Sequence, residues 1–203
     1  MTSPLIKQAV FVPLAAMLIP VLASFAVPEY SSISQHLSEL EMLDHPAAAI
    51  TRIAAIISGA SIILFSAGLL RHASKQYVFT VLAAFVFGAS MISNGIFVMG
   101  SPLHGLYGIG IFMVLTPAFF AAESLASVSP TVRLLSMLAS VATLLYMWLM
   151  LSGFDPESYR GLTQRVALIP IFGWYSFASY ALVRSYSASA AKPHKGAAVT
   201  VQG

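Results

Sequence analysis

The side chains able to do chemistry crowd into one loop and a few helix ends. Between Pro28 and Pro46 the chain reads Glu-Tyr-Ser-Ser-Ile-Ser-Gln-His-Leu-Ser-Glu-Leu-Glu-Met-Leu-Asp-His, and further along come Arg52, Asn94, His104, Gln164 and Arg165. A carboxylate such as Glu39 and an imidazole such as His104 are the parts of general acid/base catalysis, or ligands for a metal. Arg52 and Arg165 carry the guanidinium fork that clamps a phosphate or carboxylate headgroup. Ser34 and Ser38 could hold a substrate or, less readily, serve as nucleophiles. Asn94 is a hydrogen-bonding group within an apolar stretch, too short to reach water. Three neutral imidazoles can bind a catalytic zinc, and His36, His45 and His104 would be that set. Spacing does not support it, since the sequence has no His-x-x-x-His, no Gly-x-Ser-x-Gly and no cysteine. No metal and no cofactor is therefore assigned.

What must position these groups follows from composition. Hydrophobic residues make up 58% of the 203, charged residues 8%, and mean hydropathy is +0.85. A soluble domain is about 25% charged, so this chain lacks the polar surface to face water. Soluble enzyme, disordered protein and disulfide-stapled domain are all excluded. The basic residues are ten against seven acidic and are scattered rather than built into a patch, which excludes a nucleic-acid partner.

A spanning helix takes about 20 mostly apolar residues. Six stretches qualify: Ala9–Val27, Ala47–Leu70, Tyr77–Met99, Leu106–Ser127, Leu134–Ser152 and Val166–Val183. The expected fold is all-α, a polytopic membrane bundle of six helices over residues 1–184, with a disordered cytoplasmic tail over 185–203. Placing both termini in the cytoplasm puts Lys7, Arg71, Lys75, Arg133, Arg184, Lys192 and Lys195 inside, and Arg52, Arg160 and Arg165 outside. That bias is the positive-inside pattern and predicts a multi-pass membrane protein with both termini on the inner side. A cleaved signal peptide over the first apolar run is the competing reading of the N-terminus, and it leaves the remaining topology unchanged. Pro13, Pro20, Pro117 and Pro170 should bend their helices. Small residues such as Ser58, Gly59, Ser61 and Gly68, and the Gly105, Gly108, Gly110 cluster, should let helices approach closely.

In the first outer loop, Ser32 and Gln35 have capping-box spacing, and Ile33, Leu37 and Leu40 recur at helical intervals. This predicts a short amphipathic helix folded over the bundle mouth. Glu39, Arg52, Ser90, Ser93, Asn94, His104, Gln164 and Arg165 all fall at its depth, in the outer leaflet. Ionisable groups at an apolar boundary are costly and usually face a cavity or a partner. Two uses compete. As an enzyme acting on a lipid or isoprenoid headgroup, the site would use Glu39 and His104 as acid, base or ligand. As a binding protein, sensor or accessory subunit, it would pair Glu39 with Arg52 or Arg165 and fix the loop with Asn94 and His104. The partners expected are membrane lipid and a lipophilic small molecule. A transporter is weakened because no ionisable group lies at the midplane and no internal repeat is apparent. Glu123, near the inner end of the fourth stretch, is accounted for by a surface pair with Arg133 or Arg71.

The run Tyr30-Ser-Ser-Ile-Ser-Gln-His-Leu-Ser-Glu-Leu40 resembles the Tyr-Ser-x-Ile-Ser-x-x-Ile-Ser-Glu-Leu signature of a bacterial membrane family, domain of unknown function 998. Asn94-Gly-Ile-Phe97, His104-Gly105 and Gly161-Leu-Thr-Gln-Arg165 extend the resemblance over all six stretches. It implies six helices and this set of polar positions, and no established reaction. In that family Glu-Leu is usually followed by Gly, where this chain has Glu41. A looser similarity, confined to the first loop, is to the Frag1/DRAM/Sfk1 membrane proteins.

Overall fold

The computed structural model describes residues 3–73 and 75–191, and among these every regular element is helical. Five helices are long and apolar enough to cross a membrane: α1 (Pro4–Ser24), α2 (Pro46–Ala73), α3 (Val78–Ile96), α5 (Pro130–Ser152) and α6 (Arg160–Ala188). A shorter apolar helix, α4 (Ile109–Glu123), lies between α3 and α5. With its opening 3₁₀ turn, α4 rises about 24 Å, less than the about 30 Å of a hydrocarbon core.

The expected start of α4 at Leu106 is corrected by the backbone. Gly105, Leu106, Tyr107 and Gly108 have φ of 73°, 49°, 55° and 85°, four left-handed residues in a row that no right-handed helix contains. The 96–109 segment is thus a turn-rich strap across one end of the bundle, and its glycines serve the chain path rather than helix contact. At the opposite end, α5 begins at Pro130, four residues before the apolar stretch. Ser129 caps it, its Oγ accepting from the Val132 N–H at 3.4 Å, and Pro130 takes the first position, where no N–H is needed.

Two of the four prolines mark where helical bonding changes, whereas Pro20 and Pro117 sit inside unbroken α-helical segments. In α1 a 3₁₀ turn at Gln8–Val10 leads into Val12–Ser24 with Pro13 at its start, and in α6 Pro170 sits inside a π-turn at Ile169–Gly173. The small-residue expectation holds for the α2–α3 pair. A methyl carbon on Gly59 would lie 2.5 Å from the Gly88 carbonyl oxygen, and one on Gly88 would lie 2.8 Å from the Gly59 oxygen. Two backbones meet there with no room for a side chain.

Beneath this, Trp174 and Tyr175 of α6 meet Phe65 of α2 edge-on, with ring centroids 6.3 and 5.5 Å apart. By contrast α5 presents Leu138, Leu145 and Trp148 outward, more than half exposed, as suits a lipid-facing helix. The last helix continues to Ala191, past the expected tail boundary at 185. Residues 192–203, including Lys192 and Lys195, lie outside the described residues.

Glu123 differs from its expected role. No ion pair with Arg133 or Arg71 forms. Its carboxylate instead accepts from the Phe79 and Thr80 N–H groups, at 2.8 and 2.9 Å, and from the Thr80 hydroxyl at 2.6 Å. It caps the N-terminus of α3 from another helix, where unsatisfied N–H groups favour an anion.

Candidate functional site

The 28–45 loop is not an α-helix. It carries a 3₁₀ helix at Leu37–Met42, capped by His36 and Glu39 rather than by Ser32 and Gln35. The Glu39 carboxylate accepts from the His36 N–H at 2.9 Å. Leu37 and Leu40 turn into the core, whereas Ile33, expected beside them, is 53% exposed. The capping chemistry thus works one turn later than the sequence spacing suggested, and the apolar side begins there.

The sequence-predicted polar residues separate into two groups. One is a clasp between this loop and the start of α6. Glu39 pairs with Arg160 at 3.2 Å, not with Arg52 or Arg165, and Arg160 Nε also donates to the Ser34 carbonyl at 2.9 Å. Arg165 donates to the carbonyls of Gln35 (3.1 Å) and Gly161 (2.8 Å), to the Tyr30 hydroxyl (2.9 Å) and to Ser24 Oγ (3.3 Å), with its guanidinium 5.6 Å from the Tyr30 ring centre. Gln164 accepts from the Leu37 N–H at 2.6 Å, and the Leu162 N–H reaches the Ile33 carbonyl at 2.9 Å. Gly161 makes this approach possible, because a methyl carbon there would be forced into the Gln35 backbone and would lie 2.9 Å from the Ile33 oxygen. Glu39, Ser34 and Arg165 accordingly hold the loop in place.

The second group surrounds a cavity of about 470 Å³ between the loop, the strap and the helices. Of the sequence-predicted residues, His36, Ser38, Ser90, Asn94, His104 and Gln164 line it, whereas Glu39, Ser34, Arg52, Ser93 and Arg165 do not. Arg52 instead donates to the Gly95 and Ile96 carbonyls at 3.0 and 2.9 Å, closing the C-terminus of α3. Asn94 Oδ1 accepts from the Gly105 N–H, and Ser93 donates to the Leu103 carbonyl at 2.7 Å. His104 donates through Nδ1 to the Phe97 carbonyl at 2.8 Å. These bonds pin the strap onto α3.

Sequence reasoning missed Glu41. Its side chain is 3% exposed, lines the cavity and sits 4.0 Å from His104 Nδ1. Its Oε2 has no hydrogen-bond partner, and neither does Nε2 of His36, another lining residue. Loss of solvation pushes the Glu41 carboxyl up to about 7, with Arg52 pulling weakly the other way. Burial also lowers the His36 imidazole, against the pull of Glu39 and Asp155. The signal available in the sequence was its place between Leu40 and Met42, a carboxylate inside the apolar part of the loop. The rest of the wall is apolar and soft, including Met17, Met91, Met99, Met113, Met147 and Met150, six of the chain's nine methionines. Unbranched thioethers adapt to irregular partners. Among the described residues no group of His, Asp or Glu is arranged to hold a metal ion.

The molecule is therefore a helical protein of membrane-spanning type with a Met-lined, acid-tipped cavity at one end. The chain belongs to the family described as Protein of unknown function (DUF998), whose model matches residues 10–181. No curated protein and no solved structure matches it.

Proposed function

We propose that this is a six-span protein of a bacterial inner membrane, with both termini cytoplasmic and the loop end facing outward, that binds a lipid or small lipophilic molecule. The reading is of a binding protein, sensor or accessory subunit. The observation that carries it is the cavity of about 470 Å³. That volume lies within the range of small-molecule sites, about 300–1,000 Å³, which are mostly apolar with a few placed polar groups. Its polar lining includes His36, Ser38, Glu41, Asn94, His104 and Gln164, and methionines and aromatics supply much of the rest. The α4 helix counts as the sixth span in this reading, its shortness offset by the strap that leads into it.

The test is native mass spectrometry of the full chain, extracted from membranes in mild detergent. A retained lipophile is expected, and it should disappear in Ala55→Phe and Met147→Trp, each of which puts an aromatic ring into the cavity. Retention of the same species by both folded variants would sink the reading.

A second reading, an enzyme acting on a lipid headgroup, draws on a carboxyl and an imidazole, Glu41 and His104, lining one apolar cavity, the residue types of acid/base catalysis. Chemical conversion of the retained species on incubation, abolished in Glu41→Gln, would favour it over simple binding.

A further inference from the structure

The cavity's polar end holds more than a place for a headgroup, because Glu41 is the one carboxylate in its wall among the described residues. Every guanidinium on this end of the bundle is committed to protein. Arg52 serves the last carbonyls of α3, Arg160 serves Glu39 and the Ser34 carbonyl, and Arg165 is spread over four acceptors. No Lys or Arg lines the cavity among the described residues. Two of the wall's donors are spent, that of His104 on the Phe97 carbonyl and that of Ser38 on the Met99 sulfur, and Asn94 Nδ2 reaches the Met91 sulfur at 3.8 Å. Two buried atoms of wall residues lack a hydrogen-bond partner: Oε2 of Glu41, an acceptor, and Nε2 of His36, a donor because the other ring nitrogen accepts the Glu39 N–H, with Asp155 Oδ2 3.9 Å away. An anionic headgroup would meet a carboxyl there and no cation to balance it, which is the reverse of the phosphate clamp that the arginines suggest from sequence.

Resting on the reading of this cavity as a ligand site, the geometry points to a lipophilic ammonium as its occupant. The N–H donors are taken by Glu41 Oε2 and the apolar body lies among the methionines. A buried carboxylate with a free oxygen is costly on its own, and an ammonium supplies both the charge and the hydrogen bond it lacks.

The experiment uses the full chain in phosphatidylcholine nanodiscs, with empty nanodiscs as the blank for partitioning. Three probes share one cage and differ only in the head: 1-adamantanamine, 1-adamantanol and 1-adamantanecarboxylate. Calorimetry at pH 8 should show the amine binding about 10-fold or more tighter than the alcohol, the gain typical of a charge-assisted hydrogen bond, and the carboxylate not binding. Glu41→Gln should erase the amine's advantage and leave the alcohol unchanged. Equal binding of amine and alcohol in the wild type, or preference for the carboxylate, overturns the headgroup assignment while leaving the cavity reading intact. Failure of all three to bind overturns the cavity reading itself.

Should Glu41→Gln not fold, the wild-type pH profile decides. The groups facing Glu41 are His104 from the strap and Arg52 from α2, with His36 on its own loop. Amine affinity should fall from pH 8 to pH 5.5 as the carboxyl takes a proton, alcohol affinity should stay level, and His104→Gln should retain the fall. A flat amine profile, or one abolished by His104→Gln, refutes the proposal.

Discussion

Replacing Glu41 by Gln should make this protein more stable at neutral and alkaline pH. The folded carboxyl titrates at about 7 against an ordinary 4.5, so the native state holds this proton more tightly than the unfolded chain does. The stability tied to the proton is complete below about pH 4.5, declines as pH rises to about 7, and is gone above that. At about 1.4 kcal/mol per pH unit, the span corresponds to about 3 kcal/mol. Glutamine fills the same space and cannot ionise. The variant should therefore match the wild type near pH 4.5 and exceed it by up to about 3 kcal/mol at pH 8. Thermal unfolding in detergent micelles from pH 4.5 to 8 measures this, and the wild-type-minus-variant difference cancels every other titrating group. Parallel profiles for the two proteins, or a variant less stable at pH 8, would refute the desolvation argument.

Other consequences concern how the loop is held. Gly161→Ala pushes a methyl group into the Gln35 backbone and should cost about 1–3 kcal/mol, as overpacking does; an unchanged melting midpoint would contradict the close approach. Arg165→Lys replaces a planar fork with a point charge that cannot serve four acceptors on two sides. Amide exchange across residues 31–41 should quicken in that variant, measured by mass spectrometry. Arg160→Ala should cost less, under about 1 kcal/mol from the ion pair, because Arg160 is 40% exposed and its bond to Glu39 is screened. Glu123→Ala removes the cap of α3 and should cost about 0.5–2 kcal/mol, seen as earlier melting with the loop end unaffected.

Hydropathy made the bundle legible, because a chain with 8% charged residues has few other ways to fold. What it could not show was local backbone handedness. The left-handed run Gly105–Gly108 reads in sequence as apolar and small, hence as helix, and it shortened α4. Six sequence-predicted residues, His36, Ser38, Ser90, Asn94, His104 and Gln164, do line the cavity. Partner choice was hidden for a different reason. Whether Glu39 meets Arg52, Arg160 or Arg165 depends on how α6 docks against the loop, and residue type does not encode that. Glu41 was overlooked as a carboxylate between two apolar residues, Leu40 and Met42.

Photolabelling tests the central claim most directly. A neutral cage lipophile, adamantane diazirine, would be activated in the full chain in nanodiscs and its adducts mapped by peptide mass spectrometry. The account predicts adducts on cavity residues such as Phe87, Met91, Met113 and Met147, suppressed by excess 1-adamantanol. Adducts confined to the outward face of α5, at Leu138, Leu145 and Trp148, with no suppression, would contradict it.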